Sequence, residues 1–145
     1  MTLVTLQPRI NALTPTSNRL WGKMSAGQML THCTDQIRIV LGEKPAKSTG
    51  FAATRWLTKW FVLLMPLPLP KNIKTFPELD PSLSIMTKPG DFTLDRENLL
   101  AALSKLITAP DDLKATHPVF GTMTKSQALK LTAIHLDHHL RQFGV

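Results

Sequence analysis

Wherever the apolar positions of this chain recur regularly, they do so at intervals of three and four residues, the spacing of a helix face and not of a strand. Leu3, Leu6, Ile10 and Leu13 predict a short first helix, weakened by Pro8. The stretch SAGQMLTHCTDQIRIVLG is clearer. Ser25 followed three residues later by Gln28 is a capping-box start and Gly42 is a stop, so a second helix is predicted from about Ala26 to Leu41. A third is predicted in FAATRWLTKWFVLLM, capped by Ser48 or Thr49 and ended by Pro66. It is apolar over much of its circumference, which suits a central helix or one covered by a partner subunit.

Between Pro66 and Pro81 five prolines interrupt Leu67, Leu69, Ile73, Phe76 and Leu79. This pattern predicts an ordered crossover lying over the domain. Helical spacing returns in FTLDRENLLAALSKLIT through Leu94, Leu99, Leu103 and Leu106, with acids in the first turn. After the loop APDDLKATHPVFG, Thr124 and Gln127 form a second capping box, opening a last helix that Gly144 closes. No segment reads as a sheet-building hairpin. The predicted fold class is all-α: a four-helix bundle with a long proline-rich crossover, forming a single domain over residues 1–145.

Composition narrows the setting. Cys33 is the only cysteine, so no intramolecular disulfide forms. The start of the chain lacks the basic-then-apolar pattern of a signal peptide. The strongest apolar run, WFVLLMPLPLP, is too short and too broken to span a bilayer. A cytoplasmic protein without a membrane segment is expected. The net charge of +7 is concentrated: seven basic residues between Arg38 and Lys74 face the single acid Glu43. Such a field could attract an anionic small molecule, nucleic acid or an acidic membrane. The basic residues stand singly, however, which favours a solvated face and argues against a nucleic-acid protein.

The chemistry lies in the histidines. In HLDHHLRQFGV, His135 and His139 are four apart and project about 40° from each other, one turn apart on the same side of a helix. His138 lies about 60° to the opposite flank and Asp137 points away. The pair borders an apolar stripe of Leu129, Ala133, Leu136, Leu140 and Phe143, beside Ala128 and Gln142. His32 borders the stripe Met29, Cys33, Ile37, Val40 and Leu41 in the same way. Two helices that each present imidazole at the core's edge can meet around one cavity, and three neutral imidazoles would leave an open metal position. Against this, a histidine on a helix border is usually a satisfied surface residue, and HxxxH arises often by chance.

The blocks WGKMSAGQMLTHC, PLPKNIKTFPELDP and HPVFGTMTKSQALKLTAIHLDHHLRQFG together resemble the DinB/YfiT-like family of metal-dependent enzymes, closest to its uncharacterised branch, domain of unknown function 1569. The resemblance implies an up-down-down-up four-helix bundle, commonly a homodimer. It also implies a divalent-metal site of one histidine from the second helix and an HxxxH pair from the last, here His32, His135 and His139. Characterised relatives include thiol-dependent transferases that use low-molecular-weight thiols, so a transferase or hydrolase acting on a small-molecule substrate is implied.

Bound metal could lower the pKa of a water from 15.7 to about 7 for hydrolysis, or hold a thiol as thiolate for transfer. Imidazole suits zinc or nickel foremost, and iron or manganese as well. Asp35 reads as a solvated or outer-shell residue ahead of a catalytic base, Gln142 as a pocket residue, and Cys33 as a core thiol. His117 reads as a turn-packing residue, and Trp56 and Trp60 as packing in the bundle or a dimer interface. The rival reading is a noncatalytic helical protein that binds a ligand or partner, its histidines merely hydrogen-bonded.

Overall fold

The computed structural model describes residues 3–46, 51–64, 68–71 and 86–145. Its central element is α2, Ala26–Val40, and the reason is local. The Ser25 hydroxyl accepts the Gln28 N–H and the Gln28 side chain accepts the Ser25 N–H, satisfying two of the helix's orphan donors. At the other end Gly42, at φ 76°, lets the chain reverse. The Glu43 N–H then reaches the Arg38 carbonyl at 2.8 Å and the Gly42 N–H reaches Ile39 at 3.0 Å. Between these closures the helix is buried almost all round, from Ala26 to Val40, with only Gly27, Gln28 and Arg38 partly exposed.

The last helix, α5 (Lys125–Gln142), is closed by the same two devices. Thr124 and Gln127 exchange the capping-box bonds. Gly144, at φ 74°, allows the Val145 N–H to bond Leu140 and its own N–H to bond Arg141. Helix α4 (Phe92–Thr108) starts on Asp91, whose carboxylate accepts the Leu94 N–H. It packs against α2 through Leu99, Leu103 and Leu106, all fully buried.

The first helix, α1 (Leu3–Asn11), persists in spite of Pro8 and lays Leu3, Leu6 and Ile10 across α5 and α4. Arg9 secures it, donating to Asp137 at 2.7 Å and to the Val145 carbonyl at 2.6 Å. Asp137 also accepts from Arg141, so the acid that points away from the histidine pair serves the α1–α5 contact.

Two expectations are corrected. The described residues hold five helices and a small sheet, so the structure is mostly helical without being plainly a four-helix bundle, and it is not all-α. Within the segment read as a loop, β1 (Lys114–His117) pairs antiparallel with β2 (Gly121–Thr124), Lys114 opposite Thr124 and His117 opposite Gly121. Alternation is present there, since Ala115 and His117 face inward between exposed Lys114 and Thr116. Strands of four residues are too short to show a period against the helical background.

The second correction concerns α3, Ala52–Leu64. Of the two settings expected, central or covered by a partner subunit, only the first is overturned, since within the chain Leu63 is buried while Phe51 just before the helix and Trp56, Leu57, Phe61 and Leu64 within it are all at least 60% exposed. The α3 caps Ser48 and Thr49, its stop Pro66 and most of the proline-rich crossover lie outside the described residues. Pro68–Lys71 is described, and there the Lys71 ammonium sits 4.8 Å from the centre of the Trp21 ring.

Candidate metal centre

Because α2 and α5 pack against each other, the borders of their apolar faces coincide, and His32 meets His135 and His139. The Nε2 of His135 lies 3.2 Å from that of His32 and 3.1 Å from that of His139. Metal–nitrogen bonds of about 2.0–2.1 Å at tetrahedral angles hold neighbouring nitrogens about 3.3 Å apart, close to these two spacings, and all three ligand atoms lie within 4.8 Å of one another. Hydrogen bonding alone serves the group less well. A neutral imidazole nitrogen is either one donor or one acceptor, and His135 Nε2 has two nitrogen neighbours. The three-histidine group can hold a metal ion, and among the described residues no cysteine or carboxylate joins it.

The orientation of His139 is fixed from behind. Gln142 donates its side-chain amide to the Trp21 carbonyl at 2.8 Å, which turns Oε1 toward His139 Nδ1 at 3.1 Å. Oε1 can only accept, so Nδ1 carries the proton and Nε2 presents its lone pair to the other two rings. The Trp21 end is held in turn. Leu20 N–H donates to the Gln142 backbone carbonyl at 2.7 Å, and at Gly22, φ 79°, a Cβ would fall 2.1 Å from Gln142 Nε2. Only glycine permits that approach.

Burial sets the charge state. It pushes His139 down to about 3, helped by the neighbouring His32 and resisted by the Gln142 hydrogen bond. His135 is held well below the ordinary imidazole range by burial, then by the charges of His139, His32, His117 and His138. Neutral imidazoles at pH 7 are the form that metal binding requires.

The other sequence candidates part from the centre. His138 is buried against the edge of Trp21, 6.2 Å between ring centres. Cys33 is a core thiol against the Met29 sulfur, its pKa pushed far up by burial. Asp35 is not solvated: it is fully buried, with Lys44 Nζ at 2.6 Å and both the N–H and hydroxyl of Thr87 donating to it. Gln142 was legible as a pocket residue, but its part in orienting His139 depends on Trp21, 121 residues away, and has no local signal.

His117 packs in the hairpin turn, as expected, accepting the Val119 N–H at Nδ1, 3.1 Å away. Burial lowers its pKa to about 4. The free side chain protonates near 6.5, so between pH 6.5 and 4 the unfolded chain takes up a proton that the fold refuses, and stability falls with pH by roughly 3 kcal/mol. In His117→Asn the amide oxygen can take the Val119 N–H without titrating. Urea unfolding of this variant in chelator should show a pH dependence flatter by about that amount. Parallel profiles for the two proteins would refute the assignment.

The sequence model of a family described as a protein of unknown function, DUF1569, matches residues 3–144. No curated protein matches the chain. No solved structure matches it either.

Proposed function

The chain belongs to the DUF1569 family, proteins of unknown function, and we propose that it is a metal-dependent enzyme of DinB/YfiT-like kind whose divalent ion is held by His32, His135 and His139. The observation that carries this reading is the Trp21–Gln142–His139 chain of hydrogen bonds, which aims an unprotonated Nε2 at the His135 Nε2, itself 3.2 Å from that of His32. Partners of this sort behind a ligating histidine fix its tautomer and orientation.

A divalent ion at this point, zinc or nickel first by the donor set, would supply Lewis acidity toward a water or a thiol. The chain's own residues bring the three imidazoles together and, by burial, keep His135 and His139 neutral at pH 7. Asp35 is committed to Lys44 and Thr87, so the one carboxylate that the sequence offered as a base is engaged elsewhere. That favours transfer by a low-molecular-weight thiol over hydrolysis of a small-molecule substrate.

Elemental analysis and native mass spectrometry of protein purified without a histidine tag should find one divalent ion per chain. The double variant His135→Ala, His139→Ala should hold none. Equal metal in both proteins would leave the noncatalytic ligand-binding reading in its place.

Gln142 gives a graded prediction. Gln142→Leu removes the acceptor behind His139 and should weaken metal binding about 10–100-fold, whereas Gln142→Glu keeps that acceptor but loses the donor to the Trp21 carbonyl and should fall between wild type and the leucine variant. Equal affinities for wild type and the leucine variant, by competition with a chromogenic chelator, would show that the amide does not orient the ligand.

A further inference from the structure

Gln36 and Thr132 are each only 2% exposed. The Gln36 side-chain oxygen and nitrogen and the Thr132 hydroxyl all lack a hydrogen-bond partner among the described residues. Folded proteins satisfy the large majority of such buried groups, because one left unsatisfied destabilises the fold. Thr31 and Thr34 show the ordinary solution on α2, each returning its hydroxyl to a carbonyl one turn earlier. Thr132 does not.

Both side chains lie beside the histidine group. On α2, Gln36 follows His32 by four residues, about 40° around the helix and about 6 Å along it. On α5, Thr132 precedes His135 by three residues and His139 by seven, within about 60° and 20° of them around the axis. The two helices run antiparallel. Leu20, just ahead of α2, bonds Gln142 at the end of α5, while Ile39 and Gly42, at the other end of α2, share a cavity with His117 and Gly121 of the hairpin that leads into α5. The step from His32 on to Gln36 and the step from His135 back to Thr132 are therefore taken in the same direction. Gln36 and Thr132 border the histidines on the hairpin side.

The chemistry of the unmatched atoms defines what would match them. A glutamine amide offers a donor and an acceptor side by side, and a hydroxyl offers either. A ligand with acceptors alone, such as a carboxylate or a thiolate, satisfies Nε2 and the hydroxyl and leaves Oε1 unpaired. One that carries an N–H beside a C=O satisfies both ends of the amide. The end of a glutamine turns on a flexible stem, so it can meet such a group without displacement of α2.

We propose that Gln36 and Thr132 bind the molecule that takes the open position on the ion, and that this is a small molecule bearing a carboxamide. Its N–H and C=O pair with the Gln36 side chain, and the Thr132 hydroxyl is a further partner. The assignment rests on the metal reading of His32, His135 and His139 and adds the substrate class to it.

Acetohydroxamic acid and its N-methyl derivative test this by titration calorimetry on the full chain loaded with zinc. Both chelate zinc, and only the first keeps an N–H beside its carbonyl. The ratio of their affinities in Gln36→Leu measures what the ion alone prefers. In wild type the ratio should favour the N–H compound by about tenfold more. Thr132→Val should weaken the N–H compound a few-fold. In chelator, thermal melts of Gln36→Leu and Thr132→Val should lie at or above wild type, because each replacement removes an unsatisfied group and nearly keeps its volume. Equal ratios in wild type and Gln36→Leu would overturn the proposal. A melt of either variant well below wild type would overturn it too, since the fold itself would then satisfy these groups. Zinc content tells the two readings apart: a wild type that holds no zinc overturns the metal centre and the amide site together, whereas zinc held equally by wild type and Gln36→Leu with equal ratios overturns the amide site alone.

Discussion

Replacing His135 with alanine weakens binding of a divalent ion by more than the roughly 10–100-fold that an outer hydrogen-bond partner costs, and abolishes the thermal stabilisation that the ion gives. Of the three proposed ligands His135 has most to lose, because its Nε2 stands between those of His32 and His139, at 3.2 and 3.1 Å. For wild type with free ion at about 100 times its dissociation constant, binding adds about 2.7 kcal/mol to stability. In a chain of this length that raises the melting temperature by roughly 5–10 °C. In chelator the comparison changes: the ring is neutral and only partly buried, so alanine loses a little packing and the variant should melt close to wild type. Melts with and without chelator decide the matter. An ion-dependent shift of the same size in both proteins would mean that His135 is no ligand.

Asp35→Ala is expected to destabilise the fold by about 3 kcal/mol, lowering the melting temperature by roughly 6–12 °C, without loss of bound metal. The carboxylate is fully buried and takes three donors: the Lys44 ammonium, the Thr87 N–H and the Thr87 hydroxyl. Removing it strands all three. Lys44 is 21% exposed and can turn partly to water, which places the loss at the low end of the range for broken buried pairs. Adding Lys44→Ala should therefore cost less than the sum of the two single losses. Asp35→Asn, which keeps an acceptor for Thr87, should fall between wild type and alanine. Metal content separates the roles: if Asp35→Ala emptied the site while still folded, the carboxylate would belong to the centre and not to the frame.

What the sequence made legible is what is written within a few residues. Helices α2 and α5 carry a capping box and a closing glycine in consecutive positions, so their existence, ends and buried faces could be read directly. The three histidines could be selected for the same reason, by angle around a helix and position at the edge of an apolar stripe. Relations between distant segments stayed hidden. Nothing near Asp35 announces Thr87, 52 residues on, as its partner. The hairpin escaped because four-residue strands carry too little alternation, although Gly121 at a positive φ marks its turn. Helix α3 was legible only in part: an apolar circumference shows what a helix could bury, not whether its own chain or a partner subunit covers it, and within the chain most of that surface is open. The basic stretch read as solvated because its residues stand apart in sequence, and folding gathers Lys44, Arg55 and Lys59 onto one cavity.

The contact between His32 and His135 joins residues 103 positions apart. A contact of that span must wait for most of the chain to condense, since the entropy of closing so long a loop is lost before the contact returns anything. Its influence is therefore on the rate of leaving the native state. Whatever strengthens it should slow unfolding nearly in proportion and leave the folding rate almost unchanged, so that α2 and α5, each closed at both ends by its own sequence, can find one another first and be locked together afterwards.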